Sequence, residues 1–270
     1  MLKINNLFKT FAPGTVNEVC ALHDVSLHIE EGSFTAIIGT NGSGKSTLLN
    51  AVAGGFEPDK GRIVLFGKDI TFWPEHRRAS LIGRVFQNPF AGTAAGMSIA
   101  ENISLAMHRG KPRSLKTALS SGVREEIAER IKTLRMGLED RLNNPIGTLS
   151  GGQRQALTLL MATWLRPQLL LLDEHTAALD PKTAAKVAEV TREIIAREKL
   201  TALMVTHSMQ QAIDLPDRII MMHRGRIVED LKDEMKARAR ISDLMQTFER
   251  VQKLDLFDST VAEVLEQQYI

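Results

Sequence analysis

Cysteine is almost missing: Cys20 is the one thiol in 270 residues, so no disulfide can close within the chain and nothing favours an oxidising compartment. Cys20 itself reads as a small hydrophobe rather than a reactive group. Long apolar runs are missing too. The stretch 169–172 is far shorter than the roughly 20 residues a spanning helix needs. No charged-then-apolar leader opens the chain, and the expected compartment is the cytoplasm. An excess of one charge is also absent. With 34 Lys and Arg against 32 Asp and Glu, the net charge of +2 is too small to make nucleic acid or an anionic membrane the main partner. What remains is an ordinary globular composition, 43% hydrophobic and 24% charged, long enough for one large domain or a domain with insertions.

Residues 2–29 read as two strands split by a turn at Ala12-Pro13-Gly14. A strand over 33–38, a helix over 46–53 and a short strand over 61–67 follow, the last expected to be antiparallel because only turn-length segments flank it. Ser98-Ile99-Ala100-Glu101 has capping-box spacing ahead of Ile103 and Leu105, so a helix starts there. Residues 123–136 carry Ile127, Ile131 and Leu134 at helical spacing, with Gly137 as the expected C-terminal cap. The basic stretch 109–122 is expected to be a flexible surface segment within a mostly helical insertion over 90–148. After Ser150 the pattern alternates helix and strand: 169–172, 200–205 and 218–222 are apolar strands, and 183–197 is a long amphipathic helix. Such strands suit a parallel sheet covered on both faces. Beyond Asp230, Ile241, Leu244, Met245, Phe248 and Val251 form a stripe, read first as packing against the main domain and second as a subunit contact.

Gly39-Thr40-Asn41-Gly42-Ser43-Gly44-Lys45-Ser46 follows an expected strand and opens an expected helix, the setting of a phosphate-binding loop. Glycines let successive N–H groups turn inward, and the helix dipole adds attraction for an anion. In that pattern Lys45 reaches the β- and γ-phosphates and the Ser46 hydroxyl ligates Mg²⁺, with Thr47 next to it. The pattern arises by accident in about one in a hundred chains of this length. The strand at 169–172 ends in Asp173 and Glu174, which would enter the Mg²⁺ sphere and act on the attacking water as general base. Two acids after a strand are usually structural; the upstream loop reverses that weighting. Leu149-Ser150-Gly151-Gly152-Gln153 is rarer still, on the order of a few per ten thousand chains.

With that pentapeptide the chain resembles the ABC ATPase family, from about residue 2 to 230. The resemblance implies an α/β fold: a P-loop NTPase core with a mixed, mainly parallel sheet, an antiparallel β subdomain and an inserted α-helical subdomain. The ATPase domain would be 1–230 with its insertion at 88–152, and 231–270 a C-terminal helical extension. The resemblance also implies ATP and Mg²⁺, and a head-to-tail homodimer in which Ser150, Gly151, Gly152 and Gln153 face the other copy's phosphate loop. Gln87 would contact the metal and the water, His207 the γ-phosphate, Asp180 the dimer interface, and Phe11 the adenine. Plainer readings stand beside these. Gln87 is then a loop residue before Pro89, Asp180 a helix cap before Pro181, and Phe11 a core or loop aromatic. His207 is read as the one histidine of seven that sits at a strand end.

His175-Thr176-Ala177 departs from the family's usual Pro followed by Thr or Ser and then Ser. That variant, with Asn88-Pro89-Phe90-Ala91-Gly92-Thr93 after Gln87, resembles ATPases of a little-described importer group. The implied function is ATP hydrolysis at the cytoplasmic face of the membrane, energising import, of amino acids, through an integral permease with an extracytoplasmic solute-binding protein. A soluble ABC ATPase of DNA repair or translation is the alternative; it would carry a long coiled-coil insertion or a second ATPase domain. A weakly hydrolysing regulatory module would lack the pentapeptide or Glu174.

Overall fold

A computed structural model of the protein describes residues 1–110 and 119–251. Its strands are β1 (Leu2–Phe11), β2 (Val19–Ile29), β3 (Phe34–Gly39), β4 (Lys60–Leu65), β5 (Lys68–Asp69), β6 (Ile82–Val85), β7 (Leu169–Asp173), β8 (Ala202–Val205), β9 (Arg218–His223) and β10 (Arg226–Leu231). The first sheet is antiparallel in the order β2-β1-β4-β5; the second runs β10-β9-β3-β8-β7-β6. In the second, β6, β7, β8, β3 and β9 are parallel and β10 is antiparallel to β9.

Alternation along the parallel strands explains how the layers form. Ala36, Ile38, Leu170, Leu172 and Met204 belong to one buried cluster, with Ile103, Ile131, Leu157 and Ile194 of the helices on that face. Ile37, Leu169, Leu171, Leu203 and Val205 belong to the other, with Leu48 and Val52 of α1 (Lys45–Ala53) and Leu2, Ile4 and Ile63 of the first sheet. Strands buried on both faces must be apolar at every position, hence the run of four leucines.

The short α2 (Glu75–Arg78) precedes β6. Between β6 and β7 lie α3 (Ile99–Met107), α4 (Ser121–Lys132), a 3-10 turn (Ile146–Thr148) and α5 (Gly151–Thr163). The Ser98 capping box is present, each partner bonding the other's amide. Two expectations need correction. α4 closes at Lys132 rather than running to Gly137, because the backbone turns left-handed at Arg135 (φ 54) while Leu134 stays in the core. Arg109 is no free surface residue: it is half-buried and donates to the Ala162 carbonyl at 3.2 Å. Within that stretch 111–118 lie outside the described residues, while Leu119 packs against the core and Ser121 and Gly122 already belong to α4.

α6 (Pro181–Glu198), α7 (Met209–Asp214) and α8 (Asp233–Arg238) complete the labelled helices, and 241–251 is helical too. The stripe there divides. Leu244, 1% exposed, and Phe248 pack into the core, while Ile241 and Met245 face outward. α2, α7, β5, β6 and β10 had no counterpart in the sequence reading.

Candidate functional site

Parallel strands carry the candidate residues to one edge of the sheet. β3, β7 and β8 are parallel neighbours, so the segments that leave their carboxyl ends at Gly39, Asp173 and Val205 emerge together. In the 39–46 loop a Cβ on Gly39 would lie 2.3 Å from the Met222 carbonyl oxygen. Gly44 has φ +95, and a Cβ there would meet the Ala21 oxygen at 2.4 Å. Space therefore requires glycine at both positions, and at Gly44 the backbone conformation requires it as well. Asn41, Gly42 and Ser46 are exposed and Thr40 and Thr47 half-buried, so the loop presents its rim outward. Lys45 is buried at the start of α1, with Nζ donating to the Gly39 and Thr40 oxygens at 2.9 and 2.8 Å and to Ser43 Oγ at 3.4 Å. Burial pulls its ammonium below the ordinary lysine value, partly opposed by Glu174 and Asp173.

Asp173 Oδ2 lies 3.3 Å from Arg84 Nη2, which also donates to Asn50 Oδ1 at 2.6 Å. That guanidinium stacks on Phe86 and so joins α1, β6 and β7. Glu174 adopts φ 44, a left-handed conformation costing about 1–3 kcal/mol for such a residue. Its N–H bonds the Val205 oxygen at 2.9 Å. Its carboxylate gathers two distant residues: Oε1 meets His207 Nε2 at 2.6 Å, and Oε2 accepts from Gln87 Nε2 at 3.0 Å. His223 also closes a strand, β9, so strand-end position did not single out His207; its contact with Glu174 does.

Ser150 caps α5 in a second capping box, its Oγ accepting from Gln153 N at 3.3 Å and Gln153 Oε1 accepting from Ser150 N at 3.2 Å. The box engages those two amides and leaves Gly151 and Gly152 at the positive end of the helix. A Cβ on Gly152 would sit 2.0 Å from Thr183 Cγ2, so the first turn of α6 presses on this segment. Asp180 caps α6 through Thr183 N at 3.1 Å, and the Thr183 bonds hold its carboxyl below the usual carboxylate range. The Phe11 ring stands at the end of β1, 40% exposed and edge-on to Phe56 at 5.3 Å. No hydrogen bond among the described residues joins Phe11, Asp180 or the 150–153 segment to the Glu174 carboxylate.

Sequence reasoning gave no role to Arg84, Asn50 or the residues bracing the Glu174 loop, namely Thr176, noted only as part of a departure from the family pattern, Thr191 and Gln211. Only Arg84 carried a visible sign, a charge inside an apolar strand. The candidate metal donors Asp173, Ser46 and Gln87 all offer oxygens. One carboxylate with hydroxyl and amide oxygens suits Mg²⁺, which takes its remaining ligands from water and phosphate. Among the described residues no three His, Cys, Asp or Glu side chains cluster as an all-protein cage for another metal.

A family model described as ABC transporter matches residues 22–177. The chain belongs to the ABC transporter family. This ABC ATPase is 41% identical over 254 residues to the tyrosine transport ATP-binding protein of Clostridioides difficile (strain R20291), covering 92% of its own length and 99% of that protein. It is 35% identical over 234 residues to a methionine import ATP-binding protein of Pseudomonas entomophila (strain L48), covering 85% of itself and 66% of that longer chain. A solved dimeric ATP-binding cassette in a post-hydrolysis state, bound to ADP and Pi, superposes with a TM-score of 0.73 at 29% identity, over 86% of this chain and 98% of that one. The fold is that of a P-loop NTPase cassette, and the chain is an ATP-binding, ATP-hydrolysing transporter subunit. The alternative in DNA repair or translation finds no support among these relatives. No helix of the described residues is long and apolar enough to cross a membrane.

Proposed function

We propose that two copies of this chain work head to tail on an integral permease at the cytoplasmic face of the membrane, energising import of amino acids delivered by an extracytoplasmic solute-binding protein. The observation that carries the mechanism is the meeting of Gln87 and His207 on the two oxygens of Glu174. The amino-acid class is supported by the relative at 41% identity, whose name specifies tyrosine transport. We take 1–230 as the ATPase domain, 88–152 as its helical insertion and 231–270 as the C-terminal extension.

In this reading Phe11 stacks on adenine, and the amides of Gly39, Thr40, Asn41, Gly42, Ser43 and Gly44 hold phosphate oxygens, with Lys45, Ser46 and Thr47 at the helix start. Ser46, Asp173 and Gln87 hold Mg²⁺, which supplies neutralising charge when bound. Glu174 orients the attacking water and takes its proton on Oε2, which keeps a lone pair beyond the Gln87 bond. His207 holds the other oxygen and so fixes the direction of the base. Ser150, Gly151, Gly152 and Gln153 of one copy present the start of α5 to the ATP held by the other, with Asp180 beside them at the boundary. ATP then binds the closed pair more tightly than the open one, which shifts the population toward closure.

A cavity of about 360 Å³ between the insertion and the core, lined by Arg84, Phe86, Leu105 and Arg109 among others, is the proposed seat of the permease. Leu105 is 58% exposed at its rim, and Arg84 in its wall bonds Asp173, so the seat touches the nucleotide site directly. Glu174→Gln tests the mechanism, since an amide keeps the shape and cannot take the proton. Turnover should fall by about 100-fold or more, with ATP affinity within about threefold of the parent and an ATP-stabilised dimer on size exclusion. Unchanged turnover would remove Glu174 from the role of base.

A further inference from the structure

We propose that Gln211 is a positioning residue that locks the loop bearing Glu174 to the loop bearing His207, an inference that rests on the reading of Glu174 as the base. The two loops leave adjacent parallel strands, where Asp173 of β7 stands opposite Val205 of β8. That adjacency brings the loops close without setting the angle between the Glu174 carboxylate and the His207 ring.

Gln211 Oε1 supplies the missing constraint. It accepts from Thr176 Oγ1 at 3.0 Å, two residues beyond the base, and from Thr206 Oγ1 at 3.4 Å, immediately before His207. Both threonines are buried, at 7% and 4% exposure, so water does not replace these bonds. Thr206 Oγ1 also accepts the Ser208 N–H at 3.1 Å, which directs its hydroxyl hydrogen toward Gln211. Gln211 is itself anchored, its backbone N–H donating to the N-cap Ser208 Oγ at 3.2 Å at the start of α7. On the opposite side His175 Nε2 bonds Thr191 Oγ1 of α6 at 3.0 Å. The turn that holds Glu174 at a strained φ is thus fastened from two helices, and only the Gln211 fastener also reaches the histidine loop.

Two hydroxyl donors require one acceptor oxygen, so the chemistry separates the variants. Gln211→Glu keeps that oxygen; Gln211→Leu removes it at nearly the same volume. In steady-state ATPase assays of the full chain with Mg·ATP, Gln211→Leu should lower kcat about tenfold with KM within about twofold, and Gln211→Glu should stay within about twofold of the parent. Thr176→Val should fall between them and cost nothing further in the Gln211→Leu background. An unchanged kcat in Gln211→Leu, or a Gln211→Glu variant as slow as Gln211→Leu, overturns the proposal. Should Gln211→Leu not fold, Thr176→Val decides: a kcat equal to the parent's overturns it and a fall of severalfold supports it. Glu174→Gln, run in parallel, reports on the base alone, so normal turnover there removes the underlying reading and slow turnover there with a normal Gln211→Leu removes only this inference.

Discussion

His175 follows the proposed base, is 1% exposed and should set an acid limit on stability. Thr191 Oγ1 donates to the Val187 oxygen at 2.7 Å, so the bond at 3.0 Å between His175 Nε2 and Thr191 Oγ1 has the imidazole as donor. The ring is then neutral with its proton on Nε2, and a second proton would place a charge in a dry pocket. Burial accordingly pulls the His175 pKa from 6.5 to about 4. Because the folded value is the lower one, the unfolded chain binds the proton first as pH falls. Stability is intact above about pH 6.5, declines across the window down to about pH 4, and flattens below it. Each unit inside the window is worth about 1.4 kcal/mol, so the loss at pH 5 is about 2 kcal/mol. His175→Gln keeps an N–H donor for Thr191 and cannot titrate. Urea unfolding of both chains near pH 7.5 and pH 5 isolates the effect, since every other titrating group is common to them. The parent should lose about 2 kcal/mol more than the variant on acidification. Equal losses within about 0.5 kcal/mol would refute the neutral, buried imidazole.

Two further variants probe the proposed dimer face and the C-terminal helix. Gly152→Ala places a methyl 2.0 Å from Thr183 Cγ2, so hydrolysis should fall at least about tenfold, and Thr183→Ser, which lacks Cγ2, should restore much of it in the double variant. Failure of the serine to rescue would move the cause away from this contact. Leu244→Ala should cost about 2–4 kcal/mol in urea unfolding, because Leu244 is 1% exposed, and Met245→Ala at 53% exposure less than about 0.5. The reverse order would show that the stripe meets something other than its own core.

What was legible in the sequence was what neighbouring residues decide among themselves. Gly39 to Ser46 announce a tight strand-to-helix loop because the glycines and the lysine act within a few residues of each other. Ser98 with Glu101 is a capping box on spacing alone, and four consecutive leucines before Asp173 and Glu174 need a strand covered on both faces. Asp180 before Pro181 read correctly as a cap for the same reason.

The misses have a different origin. α4 stops before Gly137 because Leu134 is drawn into the core and Arg135 takes the left-handed turn, a packing outcome with no local marker. β6 and β10 escaped notice because Gly83 interrupts one apolar run and the other is a half-exposed edge. By itself the sequence determined the glycine-rich strand-to-helix loop, the strand-borne acids and the capped helix starts, since each depends on bonds between residues a few positions apart. Only the tertiary structure decided that Gln87 and His207 would share one carboxylate, that Arg84 would bridge Asn50 and Asp173, and that Gln211 would tie two loops together. Gln87, Glu174 and His207 are remote along the chain, and the register of the parallel strands β6, β7 and β8 is what brings them within hydrogen-bonding distance.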